Sequence, residues 1–232
     1  EGRFALGLAK GVKLRWQALN VDFPTFEHER NFVELMRALW QGQQVLGHDS
    51  PVGRYAALQL APYVNENIPL LYVGFGQKSL EHAGHIYDGA HLHTFMSDQA
   101  LSDAVAAFRR GEAAVGRSSG KLWSVFATVH QPSDTDYLKM IVARLATYLQ
   151  IPGYGEALVT VNGWDIDTLN SFRSAPVVKN MGGAIDSVAD FTQLQAVEKL
   201  IPEDWRPAAV GEAKTCAQRW VDQFNAGADG LI

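Results

Sequence analysis

The chain has 232 residues, 47% of them hydrophobic, enough core for one large α/β domain or two small ones. Its formal charge of -5, with no basic run or stripe, argues against a nucleic-acid surface, and no apolar stretch reaches the length of a bilayer span or reads as a signal peptide. The single cysteine, Cys216, rules out an intrachain disulfide framework and fits a reducing, cytoplasmic setting.

Arg3 to Leu8 reads as a strand that runs into a turn at Lys10-Gly11. Thr25 is a good N-cap, with Glu27 and Glu29 in the favoured first turn. Phe32, Leu35, Met36, Leu39 and Trp40 follow at helical spacing, so that face is expected inside, with the end near Gly42. Residues 43–68, with Gly47, Pro51, Gly53 and Pro62, read as a loop. Next come a strand at 70–74, a helix over about 77–86 and a strand from Gly89 to His93. Ser97 caps a helix with Leu101, Val105 and Phe108 inward.

Leu122 to His130 is nearly all apolar, as a strand covered on both faces should be. Ser133 and Asp136 form a capping-box-like start, and Leu138, Ile141, Val142, Leu145 and Leu149 are the buried stripe of the helix they open. Residues 151–186 break the rhythm: glycines 153, 155, 163, 182 and 183 mark an irregular insertion with a short helix around Asp167 to Phe172. Its Trp164 and Phe172 suit either an apolar lid or a small core of their own. A helix from Ser187 to Leu200 is ended by Pro202, and a last helix from Glu212 to Asn225 carries Cys216 as a small core residue. The chain closes on an apolar strand, Gly230-Leu231-Ile232.

The segment from Pro69 to His93 carries the densest chemical signal. Leu70 to Val73 is an apolar strand, Gly74 and Gly76 free the backbone of the turn, and the helix then opens at Gln77, Lys78 and Ser79. The first N–H groups of a helix have no intrahelical partner and lie at the positive end of its dipole. Such a turn is ready for a phosphate, and Lys78 adds a full charge. Gly-x-Gly-x-Lys-Ser is nonetheless neither a Walker loop nor a complete dinucleotide fingerprint. On the residues alone, phosphate binding and plain turn geometry stand level.

Two helix-to-strand joints echo each other: Ala83-Gly84 with Asp88-Gly89, and Ala226-Gly227 with Asp229-Gly230. Strands alternating with helices imply parallel strands with right-handed crossovers. Repetition of one αβ unit favours a TIM-like (β/α)8 barrel over an open sheet. Only about five strands are visible, and both ends start or stop in strand-like sequence. The expectation is therefore one domain over 1–232, an incomplete barrel lacking roughly the first three βα units.

At this point the residues resemble a known family. Gly2-Arg-Phe-Ala-Leu-Gly-Leu-Ala-Lys-Gly11, Asp22-Phe-Pro, Arg37-Ala-Leu-Trp40 and Gly53-Arg-Tyr-Ala-Ala-Leu are similar to segments of luciferase-like monooxygenases. So are Gly74-Phe-Gly-Gln-Lys-Ser-Leu with its Ala-Gly and Asp-Gly followers, and Ala226-Gly-Ala-Asp-Gly-Leu-Ile. The 151–186 region and the His91-Leu-His-Thr94 strand end resemble most the actinobacterial branch that uses the deazaflavin coenzyme F420. The resemblance implies a cofactor at the carboxyl ends of barrel strands, in agreement with the rule for that fold. It implies that Gly74, Gly76, Gln77, Lys78 and Ser79 hold the cofactor phosphate, that Lys10 and Gly11 lie near the cofactor, and that His93 and Thr94 face the substrate or the cofactor tail. Val12 stands where the sugar-phosphate dehydrogenases of the family carry an acid, which argues against that reaction. No catalytic base is named.

The resulting expectation is an oxidoreductase moving a hydride between coenzyme F420 and a small organic substrate, as a cytoplasmic homodimer. FMN with oxygen on the same fold is the alternative. Two other classes remain: a metal-dependent hydrolase, since His91-x-His93 puts two imidazoles on one side of a strand end, and a non-catalytic flavin-binding protein. For the histidines, hydrogen-bonded residues of the barrel mouth are the favoured reading and no metal site is expected.

Overall fold

A computed structural model describes residues 4–61 and 66–232. In chain order these form β1 (Leu6–Leu8), α1 (Lys13–Ala18), α2 (Phe26–Trp40), β2 (Val45–Ser50), β3 (Gly53–Leu58), β4 (Leu70–Val73), α3 (Gln77–Ile86), β5 (Gly89–His91) and α4 (Asp98–Ala114). They continue as β6 (Lys121–Ser124), β7 (Thr128–His130), α5 (Asp134–Tyr137), a π-helical stretch Leu138–Ala143, and α6 (Arg144–Gln150). Then come α7 (Tyr154–Asn162), α8 (Ile166–Ser174), α9 (Pro176–Lys179), α10 (Ile185–Val188), α11 (Phe191–Glu198), a 3-10 turn Glu203–Trp205, β8 (Ala209–Gly211), α12 (Ala213–Asn225) and β9 (Gly230–Leu231). No helix among the described residues is long and apolar enough to cross a membrane.

The chain divides into two compact units. The first comprises Glu1–Gly74, Lys78–His91 and Ala107–Lys121. Its β1, β4 and β5 are parallel neighbours, with Leu6 opposite Leu70 and Val73 opposite His91. Thr25 caps α2 as expected, its hydroxyl accepting from the His28 N–H. The inward face of α2 is Val33, Leu35, Leu39 and Trp40, while the expected Phe32 is exposed. The loop expected over 43–68 instead holds an antiparallel hairpin of β2 and β3, with Ser50 opposite Gly53; Pro62 to Asn65 lie outside the described residues. The α3 bounds are those read from the sequence. Gly84 lies within α3, against the backbone of α4: a Cβ there would sit 2.2 Å from the Phe108 carbonyl oxygen. Gly227 follows α12 at φ +108. The two joints that echo in sequence thus use their glycines differently.

The second unit comprises Phe75–Gln77, Leu92–Ala106 and Leu122–Ile232. The apolar run at 122–130 is two short strands rather than one. Trp123 and Ser124 of β6 pair in parallel with Gly230 and Leu231, and β7 then pairs with β8, which the sequence did not reveal. The chain changes partner between them, the Phe126 N–H donating to Ile232 and the Ala127 carbonyl accepting from Ala209. The Ser133–Asp136 capping box is present, and the stripe from Leu138 to Leu149 is buried as expected. Residues 151–186 are mostly helical, not irregular; Gly153 and Gly163 sit at the two ends of α7, Gly163 as its left-handed cap, Gly155 packs against the Leu149 carbonyl, and Gly182 lies in open space between α9 and α10. Leu158, Leu169, Phe172 and Ile185 pack with Phe95, Leu145 and Trp205 in one core. Trp164 stacks on Trp205 at 4.8 Å and Phe172 is buried, so both belong to this core and not to a lid. Cys216 is buried beside Phe126 and Ala209, as its place on an apolar face suggested.

Candidate functional site

His93 and Thr94 follow the carboxyl end of β5, and α7 brings Tyr154 to them. The His93 Nδ1 lies 2.6 Å from the Thr94 carbonyl oxygen. A carbonyl only accepts, so Nδ1 carries the proton and Nε2 holds the lone pair. The Tyr154 hydroxyl donates to that lone pair. Phe75 and Tyr148 complete an aromatic group around the imidazole, at 4.9 and 4.8 Å between ring centroids, and Tyr148 stacks on Tyr154 at 5.4 Å. Burial here holds His93 well below the usual histidine range, at about 4, against the opposing pull of the Thr94 carbonyl. The same burial pushes the Tyr154 hydroxyl up. At neutral pH the pair is an uncharged imidazole accepting from an uncharged phenol.

The turn that follows is strained. Phe95 is fully buried at φ +61, a left-handed conformation costly for a bulky residue. Asn162, the last residue of α7, holds it. The Asn162 amide donates to the Phe95 carbonyl at 3.1 Å and its oxygen accepts from the Ser97 N–H at 2.7 Å. One helix therefore supplies the phenol at its first residue and the clamp at its last. Of the candidates read from the sequence, His93 and Thr94 lie in this group; Tyr148, Tyr154, Asn162 and Phe75, which the structure brings to them, are not among those candidates. The His93–Tyr154 contact joins positions 61 apart, and no periodicity or spacing reports such a pairing.

The turn after β4 leads into α3, whose first turn contains no acidic residue. Gln77 and Lys78 are exposed there and Gly76 is half-buried. Gly74 has a packing reason of its own: a Cβ would meet the Tyr72 hydroxyl at 2.6 Å. The Ser79 side chain hydrogen-bonds that same buried tyrosine, opposing the upward push of burial on it. Lys10 follows the end of β1 and forms a salt bridge of 2.9 Å with the buried Glu29. Its ammonium also lies 4.3 Å from the Phe26 ring centroid. Gly11 is exposed at φ +70. His82 stacks on Phe26 at 4.4 Å, and its buried Nε2 has no hydrogen-bond partner among the described residues. Burial, then the positive charges of Arg30, His85 and Lys10, bring His82 down to about 4.

Both ring nitrogens of His93 are engaged, which leaves no lone pair for a metal in this arrangement. Among the described residues no three His, Cys, Asp or Glu side chains come together in a metal-ligand group. His130 is exposed at the end of β7.

Residues 1–230 match the family model described as luciferase-like monooxygenase. Among solved structures, the coenzyme F420 dependent tetrahydromethanopterin reductase from Methanopyrus kandleri is similar over 99% of this chain and 67% of its own, at 15% identity and a TM-score of 0.75. An F420-dependent secondary alcohol dehydrogenase, in complex with an F420-acetone adduct, matches over 99% and 63%, at 16% identity and 0.60. The FMN-bound oxygenating constituent of 3,6-diketocamphane monooxygenase, from the CAM plasmid of Pseudomonas putida, matches over 99% and 64%, at 14% identity and 0.63. The chain thus spans about two thirds of the length of these proteins, and shares with them the α/β fold of the luciferase-like TIM barrels.

Proposed function

Because this chain belongs to the luciferase-like monooxygenase family, we propose that it is an oxidoreductase using coenzyme F420 on a small, uncharged organic substrate. The observation that carries the cofactor reading is local: α3 opens directly after the glycine turn with Gln77 and Lys78 exposed and no acid in its first turn. A phosphate meets free N–H groups and a cation there, and no carboxylate repels it. In this reading Gly76, Gln77, Lys78 and Ser79 hold the phosphate, mostly through the main chain. Gly74 lets the turn pass Tyr72. Gly11 leaves the backbone after β1 bare, and Lys10 acts through its pair with Glu29. When bound, such a cofactor supplies the two-electron chemistry, and the protein supplies position and field.

His93, Thr94 and the surrounding aromatic rings are the substrate side of the site. Their neutrality at pH 7 favours an uncharged ligand, because a charge brought among buried rings loses hydration without gaining a counter-ion. FMN is the second reading, favoured by the similarity to the FMN-bound oxygenating constituent. The same reading keeps the expected homodimer, which light scattering checks.

Titration of the protein with coenzyme F420 and with FMN, followed by fluorescence quenching, tests the reading. Saturable quenching by F420, lost on Lys78→Glu, is the expected result. Quenching by FMN alone moves the answer to the oxygen-using branch, and quenching by neither refutes the oxidoreductase.

A further inference from the structure

We propose that His93 and Tyr154 are the proton-accepting pair of this site, and that Asn162 is the positioning residue that keeps His93 in the required tautomer. The inference rests on the oxidoreductase reading above and names the residues through which the substrate loses its proton. The geometry is ordered in one direction. Asn162 pins the carbonyl of Phe95 and the N–H of Ser97. That clamp holds a buried phenylalanine in a left-handed conformation it would otherwise leave. The turn so held presents the Thr94 carbonyl to His93 Nδ1. With the proton fixed on Nδ1, Nε2 can only accept, and its partner is the Tyr154 hydroxyl.

The step is a double proton shift. The O–H bond of a hydroxyl substrate breaks and its proton joins the Tyr154 oxygen. The Tyr154 O–H bond breaks in turn, and an N–H bond forms at His93 Nε2. No electrons change hands at these residues: the substrate is one proton poorer and the imidazole carries the charge. The two-electron oxidation of the carbinol carbon, its hydrogen leaving with the electron pair, would be the chemistry that the oxidised flavin-type cofactor of the proposed function supplies when bound. The groups facing His93 are Thr94, Phe75, Tyr148 and Tyr154, all uncharged at neutral pH. The imidazolium formed is therefore transient: when the product leaves, His93 Nε2 gives its proton back to the Tyr154 oxygen and the phenol releases its own to water. A hydroxyl compound fits such a pair better than a carboxylate or phosphate, because the step needs a neutral donor to the phenol oxygen.

The experiment uses the whole chain with histidines labelled by nitrogen-15 and no cofactor added. His93, assigned by the signal lost in His93→Gln, is expected with Nδ1 protonated and Nε2 bare from pH 5 to 8. Asn162→Ala should give mixed tautomers, and Asn162→Asp, which still accepts from Ser97 but cannot donate to Phe95, an intermediate mixture. Tyr154→Phe should leave the turn intact and release Nε2, so that diethyl pyrocarbonate modifies His93 several-fold faster. In the wild type, saturating F420 or FMN should slow modification at His93. A charged or Nε2-protonated His93 at pH 7 overturns the pair whether or not cofactor binds. So does cofactor quenching without protection of His93. Absence of quenching by either cofactor, with the tautomer as expected, refutes the oxidoreductase reading and the pair's catalytic role with it. If Asn162→Ala does not fold, Asn162→Asp carries the positioning test alone, and an unchanged tautomer there overturns it.

Discussion

Replacing Gly84 with alanine puts a methyl group where two helix backbones touch. The added Cβ would lie 2.2 Å from the Phe108 carbonyl oxygen and 2.7 Å from the Glu112 nitrogen, and at Gly111 opposite it would lie 1.9 Å from the Glu81 carbonyl oxygen. These neighbours are backbone atoms of α3 and α4, not the ends of flexible side chains. The helices would have to separate by roughly an ångström to restore ordinary contact. Overpacking of this kind costs about 3 kcal/mol. Alanine's better helix propensity returns about 1 kcal/mol, so the net loss expected for Gly84→Ala is about 2 kcal/mol. In urea unfolding at pH 7 that moves the midpoint down by about 1 M at a typical slope near 2 kcal/mol per M, with the slope unchanged. Gly182→Ala is the control: nothing lies within 4 Å of its Cβ position, so it should be neutral or stabilising by up to about 1 kcal/mol. Because α3 also carries Lys78, the Gly84 variant should bind cofactor more weakly as well. A Gly84→Ala protein as stable as the wild type would refute the backbone-to-backbone crossing.

Acid should weaken the fold early. His82 and His93 are both held at about 4 in the folded chain against 6.5 as the ordinary value. As pH falls the unfolded chain binds protons first, so stability is full above about pH 7 and drains away between 6.5 and 4. Each pKa unit is worth about 1.4 kcal/mol, which sets a ceiling of about 3 kcal/mol for the buried His82. Urea midpoints at pH 7.5 and 5 measure the loss, His82→Leu should remove its share, and a flat profile counts against the assignment. Lys10→Met leaves Glu29 buried without its cation and should cost about 3 kcal/mol, with part recovered by adding Glu29→Gln. Unchanged melting of the single variant would show that Lys10 is free to serve a ligand instead. Arg173 donates to the carbonyls of Leu149 and Ile151 as well as to Glu156, so Arg173→Met should lose about 2 kcal/mol at pH 7. Glu156, held at about 2 chiefly by that arginine, stays ionised above pH 5 with or without it. A loss that vanished in high salt would mean the ion pair, and not the carbonyl bonds, had been measured.

Local chemistry was legible and long-range partners were not. The bounds of α3, the Thr25 and Ser133 caps and the stripe from Leu138 to Leu149 all follow from interactions within a few residues, and each is present. The β2–β3 hairpin escaped because most of its side chains face solvent, so no alternation marks it. Spacing alone places Phe32 in the core, yet α2 turns so that Val33 is buried instead. A stripe fixes a helix face only to within one neighbouring position. In the 122–130 run, continuous apolar sequence hid a change of partner at Phe126, because period-2 signals vanish when both faces are covered. The glycines of 151–186 looked like disruption. Three of them, Gly153, Gly163 and Gly155, sit at an N-cap, at a C-cap and against the Leu149 carbonyl, and so they bound helices instead of preventing them.

The two parts of the candidate site differ in the same way, and the difference separates them experimentally. The turn proposed to hold the phosphate is written in six consecutive residues, and the proposed role needs only their order and a helix behind them. A charge change at Lys78 should therefore alter cofactor affinity without touching the His93 tautomer. The His93–Tyr154 pair depends on α7 being folded from end to end, since Tyr154 opens that helix and Asn162 ends it. The strain at Phe95 is tolerable only while that clamp holds. Destabilising α7 in its middle, as Leu158→Ala would do in a fully buried position, should scramble the tautomer while leaving binding at the α3 turn in place. Loss of both together would mean that the turn and the pair are not independent, and would refute this separation of phosphate holding from proton acceptance.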